Sequence, residues 1–399
     1  MSGPLTGVRV VDLTTTFMGP YCALQLARMG ADVIKVESPD GDIVRRLGGG
    51  RSLMAGPIFL AANHGKRSIA LDLKQPAARE VLDRLVARAD VFVTNMRPDP
   101  VRRLGLGYDE LGPRHPRLVH ATLPGFGSDG PYRDVAAYDD VIQAISGLAA
   151  VQGGDGEPAY VRSPVADKIV GLMGLSAILA ALLERATTGR GQAVEVPMYE
   201  TMVQFMLLDQ QGGLLHDPPT GPPGYARTSS PNRRPYRTAD GHLSVVVYTD
   251  RQWLAFFDLI GRPELTHDPR FATVTTRTEN IDELYQLVAD ELPQFTSDEW
   301  LTRLRALGIP CAPVLDVPGV LADEHLAAVG FFETVHHPTE GTLTLPGLPA
   351  RFSASTPGPL PGAPALGEHG PGILRELGYT EAEVQQLRDS GALHTGRPG

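Results

Sequence analysis

Val8-Arg9-Val10-Val11-Asp12-Leu13 is rich in β-branched residues, Tyr21 to Met29 then carries Leu24, Leu26 and Met29 at helical spacing, and Asp32-Val33-Ile34-Lys35-Val36 returns to a strand pattern. This strand, helix, strand order is a βαβ unit. It recurs downstream. Ser68 to Leu73 reads as a strand, Pro76 suits the first turn of a helix with Val81, Leu82, Leu85 and Val86 on one face, and Asp90 to Val93 and Leu118 to Leu123 read as further strands. Strands separated by helices of about 10 to 15 residues predict a mostly parallel sheet covered on both faces. The fold class expected is therefore α/β with a Rossmann-like large domain.

The texture changes between Gly212 and Tyr236, where Pro, Gly, Ser and Arg replace apolar periodicity. Residues 213–236 read as a linker between an N-terminal large-domain segment, 1–212, and a small α+β domain over 237–330. In that domain Gly241 to Tyr248 has a strand pattern, and Gln252 to Ile260, Ile281 to Leu292 and Ser297 to Leu307 have helical ones. Ser297, taken as the start of its helix, has Trp300 rather than Glu three residues on, so no capping box is expected there; Thr380 with Glu383 does form that pattern. Residues 331–399, with a Pro/Gly-rich tract from Pro346 to Pro364, are expected to return to the large domain.

Composition narrows the partners. The 399 residues are 42% hydrophobic and 21% charged, ordinary for a globular chain. Thirty-six Lys and Arg against 46 Asp and Glu leave a net charge of −10, with no basic stretch dense enough to follow a phosphate backbone, so nucleic acid is not expected. Cys22 and Cys311 stand far apart without metal-ligand spacing, and His336-His337 reads as a solvated pair in a loop, so no metal is expected. The longest apolar run, Ile169 to Leu183, is shorter than the roughly 20 residues a bilayer needs and is expected to be a buried helix. A cytoplasmic protein that does not enter membranes is the expectation.

A dinucleotide enzyme would carry a Gly-x-Gly-x-x-Gly cradle after its first strand, but here that turn reads Thr14-Thr15-Thr16-Phe17-Met18-Gly19-Pro20. The acid with most to say is Asp167, in Ser163-Pro164-Val165-Ala166-Asp167-Lys168 at the mouth of the apolar helix. Two readings stand. The commoner is a first-turn carboxylate that stabilises the helix end. The other is a nucleophile, ionised at neutral pH and desolvated by the helix behind it, that attacks an activated acyl group.

Several stretches decide what to compare this chain with. They are Gly19-Pro20 through Gly30-Ala31-Asp32-Val33-Ile34-Lys35-Val36-Glu37, Gly65-Lys66-Arg67-Ser68-Ile69-Ala70-Leu71-Asp72-Leu73-Lys74, Asn95-Met96-Arg97-Pro98, Leu104-Gly105-Leu106-Gly107, Gly125-Phe126-Gly127, Ala137-Tyr138-Asp139, Asp167 with its helix, Gly189-Arg190-Gly191-Gln192 and Leu377-Gly378-Tyr379. In that order they resemble the class III CoA-transferase family, which includes formyl-CoA transferase, carnitine CoA-transferase and α-methylacyl-CoA racemases. The resemblance implies an acyl-CoA:carboxylate CoA-transferase in which Asp167 forms an aspartyl covalent intermediate. A coenzyme A thioester and a free carboxylic acid are its substrates, with no permanently bound cofactor. It also implies two chains interlocked as a homodimer. Residue by residue, Arg45, Leu71, Lys74, Asn95, Met96 and Arg103 fall where the family holds CoA, and Tyr138 and Asp139 fall near the thioester.

The chain departs from its relatives at three places. Ser38 stands where many have Arg, Phe17 stands near the Gln of formyl-CoA transferase, and Val247-Tyr248-Thr249-Asp250-Arg251-Gln252 replaces that enzyme's glycine-rich loop, so formate or oxalate is not the expected acid. The racemase branch has His where this chain has Tyr138. A phenol with an ordinary pKa near 10 is a poor base at neutral pH, so transfer is expected over racemisation. A third alternative is a non-catalytic CoA-binding protein, against which an intact Asp167 speaks.

Overall fold

A computed structural model describes residues 3–396 and divides into two compact units. Of the described residues, the first contains those up to Ala149, Tyr160–Phe205 and those from Ala328 onward; the second contains Ala150–Ala159 and Met206–Ala327.

The first unit is built on a seven-stranded sheet. Its strands are β1 (Arg9–Leu13), β2 (Asp32–Glu37), β3 (Arg67–Leu71), β4 (Val91–Thr94), β5 (Val119–Thr122) and β6 (Ala193–Glu195), closed at one edge by a C-terminal strand, Leu393–His394. The spatial order is C-terminal strand, β3, β2, β1, β4, β5, β6. All pairs are parallel except the C-terminal strand, which runs antiparallel to β3. The order reverses between β1 and β4, so the loops leaving their carboxyl ends diverge to opposite faces and leave a crevice.

Near-continuous apolar strands are what a sheet covered on both faces requires. One side of it buries Val10, Val33, Val91, Val93 and Val119 with α1 (Met18–Arg28) and a long helix, Val165–Thr188. The other side buries Val11, Ile34, Ile69 and Phe92 with α2 (Pro76–Val86) and the helices Gly370–Glu376 and Glu381–Asp389. The helix Glu381–Asp389 opens with the expected capping box, Thr380 with Glu383.

In the second unit, β7 (Tyr236–Arg237), β8 (His242–Val245) and β9 (Cys311–Pro313) form an antiparallel sheet. Trp253, Phe256, Leu284, Trp300 and Leu304 bury its core. The helix Ser297–Ala306 does begin with a capping box, contrary to the sequence expectation. Thr296 is the cap and Glu299 its third residue, with both reciprocal hydrogen bonds formed. The pattern is one residue earlier than the periodicity suggested, because the cap lies outside the helix it starts.

Two further expectations need correction. His336 and His337 lie on β10 (Phe332–His337), paired antiparallel with β11 (Gly341–Pro346), and not in a loop. His337 is buried, its Nε2 2.9 Å from the Ala363 carbonyl and its Nδ1 accepting the Thr339 and Glu340 amides. The apolar run of 15 residues belongs to a helix of 24, long and apolar enough by those measures alone to cross a membrane. It packs on α1 and β5 through Val170, Gly171, Gly174, Leu175, Ile178 and Ala181, while Leu172, Met173 and Leu183 stay exposed. The helix is thus buried on one face only.

Candidate functional site

The turn after β1 shows why this sheet does without a glycine-rich cradle. Three successive main-chain N–H groups that could face a pyrophosphate are taken by the protein itself. Thr14 N donates to Asp12 Oδ1 at 3.0 Å, Thr15 N to Asn95 Oδ1 at 3.0 Å, and Thr16 N to both Asp42 oxygens at 3.1 Å. Thr16 holds a φ of 74°, a left-handed backbone that costs a β-branched residue roughly 1–3 kcal/mol. Asn95 Nδ2 also donates to the Thr15 carbonyl at 2.9 Å, so Asn95 ties the β4 exit to the β1 exit across the crevice.

Beneath this turn lies a fully buried set of charges. Lys66 Nζ reaches Asp12 Oδ2, the Pro20 carbonyl and Asn63 Oδ1, each at 2.9 Å. Lys35 Nζ reaches the Thr14 carbonyl at 2.8 Å and Asp42 Oδ2 at 3.2 Å. Burial alone would raise the Asp12 carboxyl, but Lys66 and Lys35 hold it below its ordinary value. Burial pulls Lys66 down to about 8, against the opposing pull of Asp12. Such pairs are costly to break singly, since each would leave a buried charge alone.

Arg45, expected as a CoA contact, lies in the same framework. It is 1% exposed, its Nε and Nη2 each 2.8 Å from a Glu37 oxygen, its Nη1 and Nη2 both 3.2 Å from the Pro364 carbonyl, and its guanidinium 3.6 Å over the Phe59 ring. A guanidinium gripped on its fork and covered on its face has no edge left for a phosphate. Leu71 is likewise buried in the core on the α2 side of the sheet. Met96 packs half-buried against that core. Lys74 and Arg103 are exposed, and Arg103 lines a cavity of about 230 Å³ with Arg97, Asp99 and Asp134. A cavity of about 590 Å³ opens beside Asp32 and Arg67 at the amino ends of β2 and β3, and none of the candidate residues lines it.

Asp139 opens α3 (Asp139–Ile145), and Asp167 is the third residue of α4 (Val165–Thr188). A Cβ on Gly171 would stand 2.8 Å from the Met18 carbonyl oxygen, and one on Gly174 would stand 3.4 Å from Cys22 Sγ. These small residues let α4 lie close along α1, both helices advancing the same way. Asp167, one turn before Gly171, therefore sits beyond the start of α1, at the carboxyl edge of the sheet where open α/β folds take ligands.

Pro164 precedes α4 and supplies no side-chain cap. The cap comes from another helix: Asp139 Oδ2 accepts the main-chain N–H of Asp167 at 3.0 Å. The Asp167 carboxyl is pushed up to about 7, chiefly by burial and then by the Asp139 charge, with Lys168 pulling weakly the other way. Desolvation thus outweighs the helix end, and the carboxyl is ionised only in part at neutral pH. Asp139 is itself buried and faces inward, whereas Tyr138 is 72% exposed at the head of α3. Gln143, one helical turn after Asp139, was not singled out from the sequence. The signal was there in the Asp139/Gln143 i,i+4 pair, which can hydrogen-bond along a helix face. Among the described residues no group of three or more His, Cys, Asp or Glu could hold a metal ion.

The sequence profile of CoA-transferase family III matches residues 5–370. The chain belongs to CoA-transferase family III. It is 36% identical to a formyl-CoA:oxalate CoA-transferase from Streptomyces avermitilis, over 98% of this chain and all of that protein. It is 30% identical to a succinyl-CoA:glutarate CoA-transferase from Mus musculus, over 98% of this chain and 90% of that one. Among solved structures, a CaiB/BaiF family protein from Brucella suis superposes with a TM-score of 0.81 at 32% identity, covering 94% of this chain and all of that one. This family III enzyme therefore shares their mixed α/β fold.

Proposed function

We propose that this family III enzyme transfers CoA from an acyl-CoA to a free carboxylic acid through a covalent intermediate on Asp167. The observation that carries this reading is a carboxylate at the start of an apolar helix, at the carboxyl edge of the sheet, desolvated enough to be pushed up to about 7. An oxygen of ionised Asp167 attacks the thioester carbonyl, the carbon–sulfur bond breaks, and CoA leaves as thiolate from a mixed anhydride. The thiolate then attacks the aspartyl carbonyl, expelling the donor's carboxylate and leaving an aspartyl-CoA thioester. The acceptor carboxylate attacks that thioester to form a second anhydride, and CoA thiolate takes the new acyl group, returning Asp167 ionised. Thioester is exchanged for thioester, so the net reaction needs no ATP, and covalent catalysis divides it into steps of moderate height.

Lys74 and Arg103, exposed cations, suit the CoA phosphates, while Asn95, Met96 and the main chain at Leu71 suit the nucleoside. Tyr138 is free to cover the acyl group. Oxalate and glutarate, acceptors in the names of two relatives, are both dicarboxylates, so a dicarboxylic acid is the acceptor class proposed. The sequence disfavours oxalate, so transfer to oxalate and to glutarate is assayed separately. An interlocked homodimer is the proposed assembly, and light scattering of the purified protein measures its mass.

Incubation with a panel of acyl-CoA thioesters, followed by hydroxylamine and mass spectrometry, tests the mechanism. A mass change on the peptide containing Asp167, absent in Asp167→Ala, is expected. Transfer at the normal rate in Asp167→Ala would overturn the reading, and exchange of an α-proton with solvent without release of CoA would replace it by the racemase reaction.

A further inference from the structure

Gln143 is 0% exposed, and both ends of its amide are engaged. Its Nε2 donates to Asp139 Oδ1 at 2.5 Å, and its Oε1 accepts the main-chain N–H of Val161 at 2.9 Å. Asp139 in turn spends its other oxygen on the Asp167 N–H. The result is a three-part relay, Val161 N–H to Gln143 to Asp139 to Asp167 N–H, that joins the strap before α4, helix α3 and the first turn of α4.

We propose that Gln143 is a positioning residue for the transfer reaction, fixing through Asp139 the main chain that carries the nucleophile. The inference rests on the Asp167 mechanism and adds to it the means by which Asp167 is aimed. Pro164 leaves the first turn of α4 without a cap of its own, so the Asp139 carboxylate is what restrains it. A carboxylate turns easily about its last bond. Gln143 removes that freedom by holding the opposite oxygen, and because the amide is sealed from water, no solvent can replace it. Reactive geometry tolerates errors of about 0.5 Å, and misplacement by about 1 Å can cost on the order of 100-fold in rate.

The polarity of the pair can be exchanged. In Asp139→Asn combined with Gln143→Glu, the new Asn carbonyl can accept the Asp167 N–H while its NH₂ donates to the new Glu, whose other oxygen accepts the Val161 N–H. Every hydrogen bond of the relay is then restored. In Gln143→Met, of similar volume, both bonds of Gln143 are lost.

The experiment compares the full-length enzyme, Gln143→Met, the two single polar variants and the double exchange, well below their melting temperatures. Expected are a fall in kcat of about 30- to 100-fold in Gln143→Met with KM for acyl-CoA within about threefold, and recovery of at least tenfold of the loss in the double exchange relative to either single polar variant. Amide hydrogen exchange at Asp167, read by fragmentation mass spectrometry, is expected to speed up in Gln143→Met and to slow again in the double exchange. That second measurement does not depend on catalysis, so it judges the relay even if wild type makes no aspartyl adduct and the mechanism above fails. Unchanged kcat together with unchanged exchange at Asp167 in Gln143→Met would overturn the inference, as would a double exchange no better than the single variants.

Discussion

Asp139 Oδ2 accepts the main-chain N–H of Asp167 at 3.0 Å, so the acid whose charge opposes ionisation of the proposed nucleophile is tied to that nucleophile's own backbone. The arrangement caps a helix and at the same time sets two acids side by side. Burial is the larger influence on Asp167 and the Asp139 charge the second, and both oppose ionisation.

A pH dependence follows with a definite sign. Asp167 attacks only when ionised, so the rate of aspartyl adduct formation should climb about tenfold per pH unit on the acid side and level off above a midpoint near 7. A stopped-flow pH series with rapid acid quench measures it.

Stability should move the opposite way. The folded protein binds a proton at Asp167 between the ordinary carboxyl value of 3.8 and about 7 that the unfolded chain has lost, so this group's contribution to stability falls as pH rises through that window. Asp167→Asn, which removes the ionisation, should be more stable than wild type at pH 8 by roughly 1–3 kcal/mol after allowance for solvent screening, and nearly equal to it at pH 4. Urea unfolding at the two pH values gives the comparison.

Arg45 should behave as part of the framework. Arg45→Met strands Glu37, whose carboxyl burial would raise but which Arg45 holds below its ordinary value. A loss of about 3–5 kcal/mol in unfolding free energy is expected, and Arg45→Met with Glu37→Leu should regain much of it. If Arg45→Met instead raised KM for acyl-CoA at unchanged stability, Arg45 would be a CoA contact.

Lys74 and Arg103 should show the contrary pattern. Each is exposed, so Lys74→Ala and Arg103→Ala should leave stability within about 0.5 kcal/mol. KM for acyl-CoA should rise about tenfold in each, with kcat within about threefold. Steady-state kinetics at fixed acceptor concentration separates the two parameters.

Gly171 tests the approach of α4 to α1. Alanine would gain about 1 kcal/mol of helix propensity but place a Cβ 2.8 Å from the Met18 carbonyl oxygen, a main-chain atom that cannot turn aside. Net destabilisation of about 1–3 kcal/mol is expected in thermal melts. Because the displaced helix carries Asp167, kcat should fall more than KM changes.

Much of this molecule was readable before any coordinates. Strands and helices of the large sheet announce themselves because alternation between β-branched runs and 3.6-residue periodicity is a local property, and Asp167 stands out because a carboxylate at the mouth of an apolar helix is visible in six residues. Local reading also misplaced what depends on one-residue offsets, as at Thr296 and Glu299, where the cap lies outside the periodic segment. Tertiary structure alone decided which charges are available. Arg45 and Lys74 are both basic residues in motif-like settings, yet Glu37 and Phe59 enclose one and solvent surrounds the other. The same holds for the ionisation of Asp167, which is set by Asp139, 28 positions away in the chain, and by how much water the fold removes. Periodicity is written in neighbouring residues, whereas desolvation and charge pairing arise only when distant segments are brought within a few ångströms.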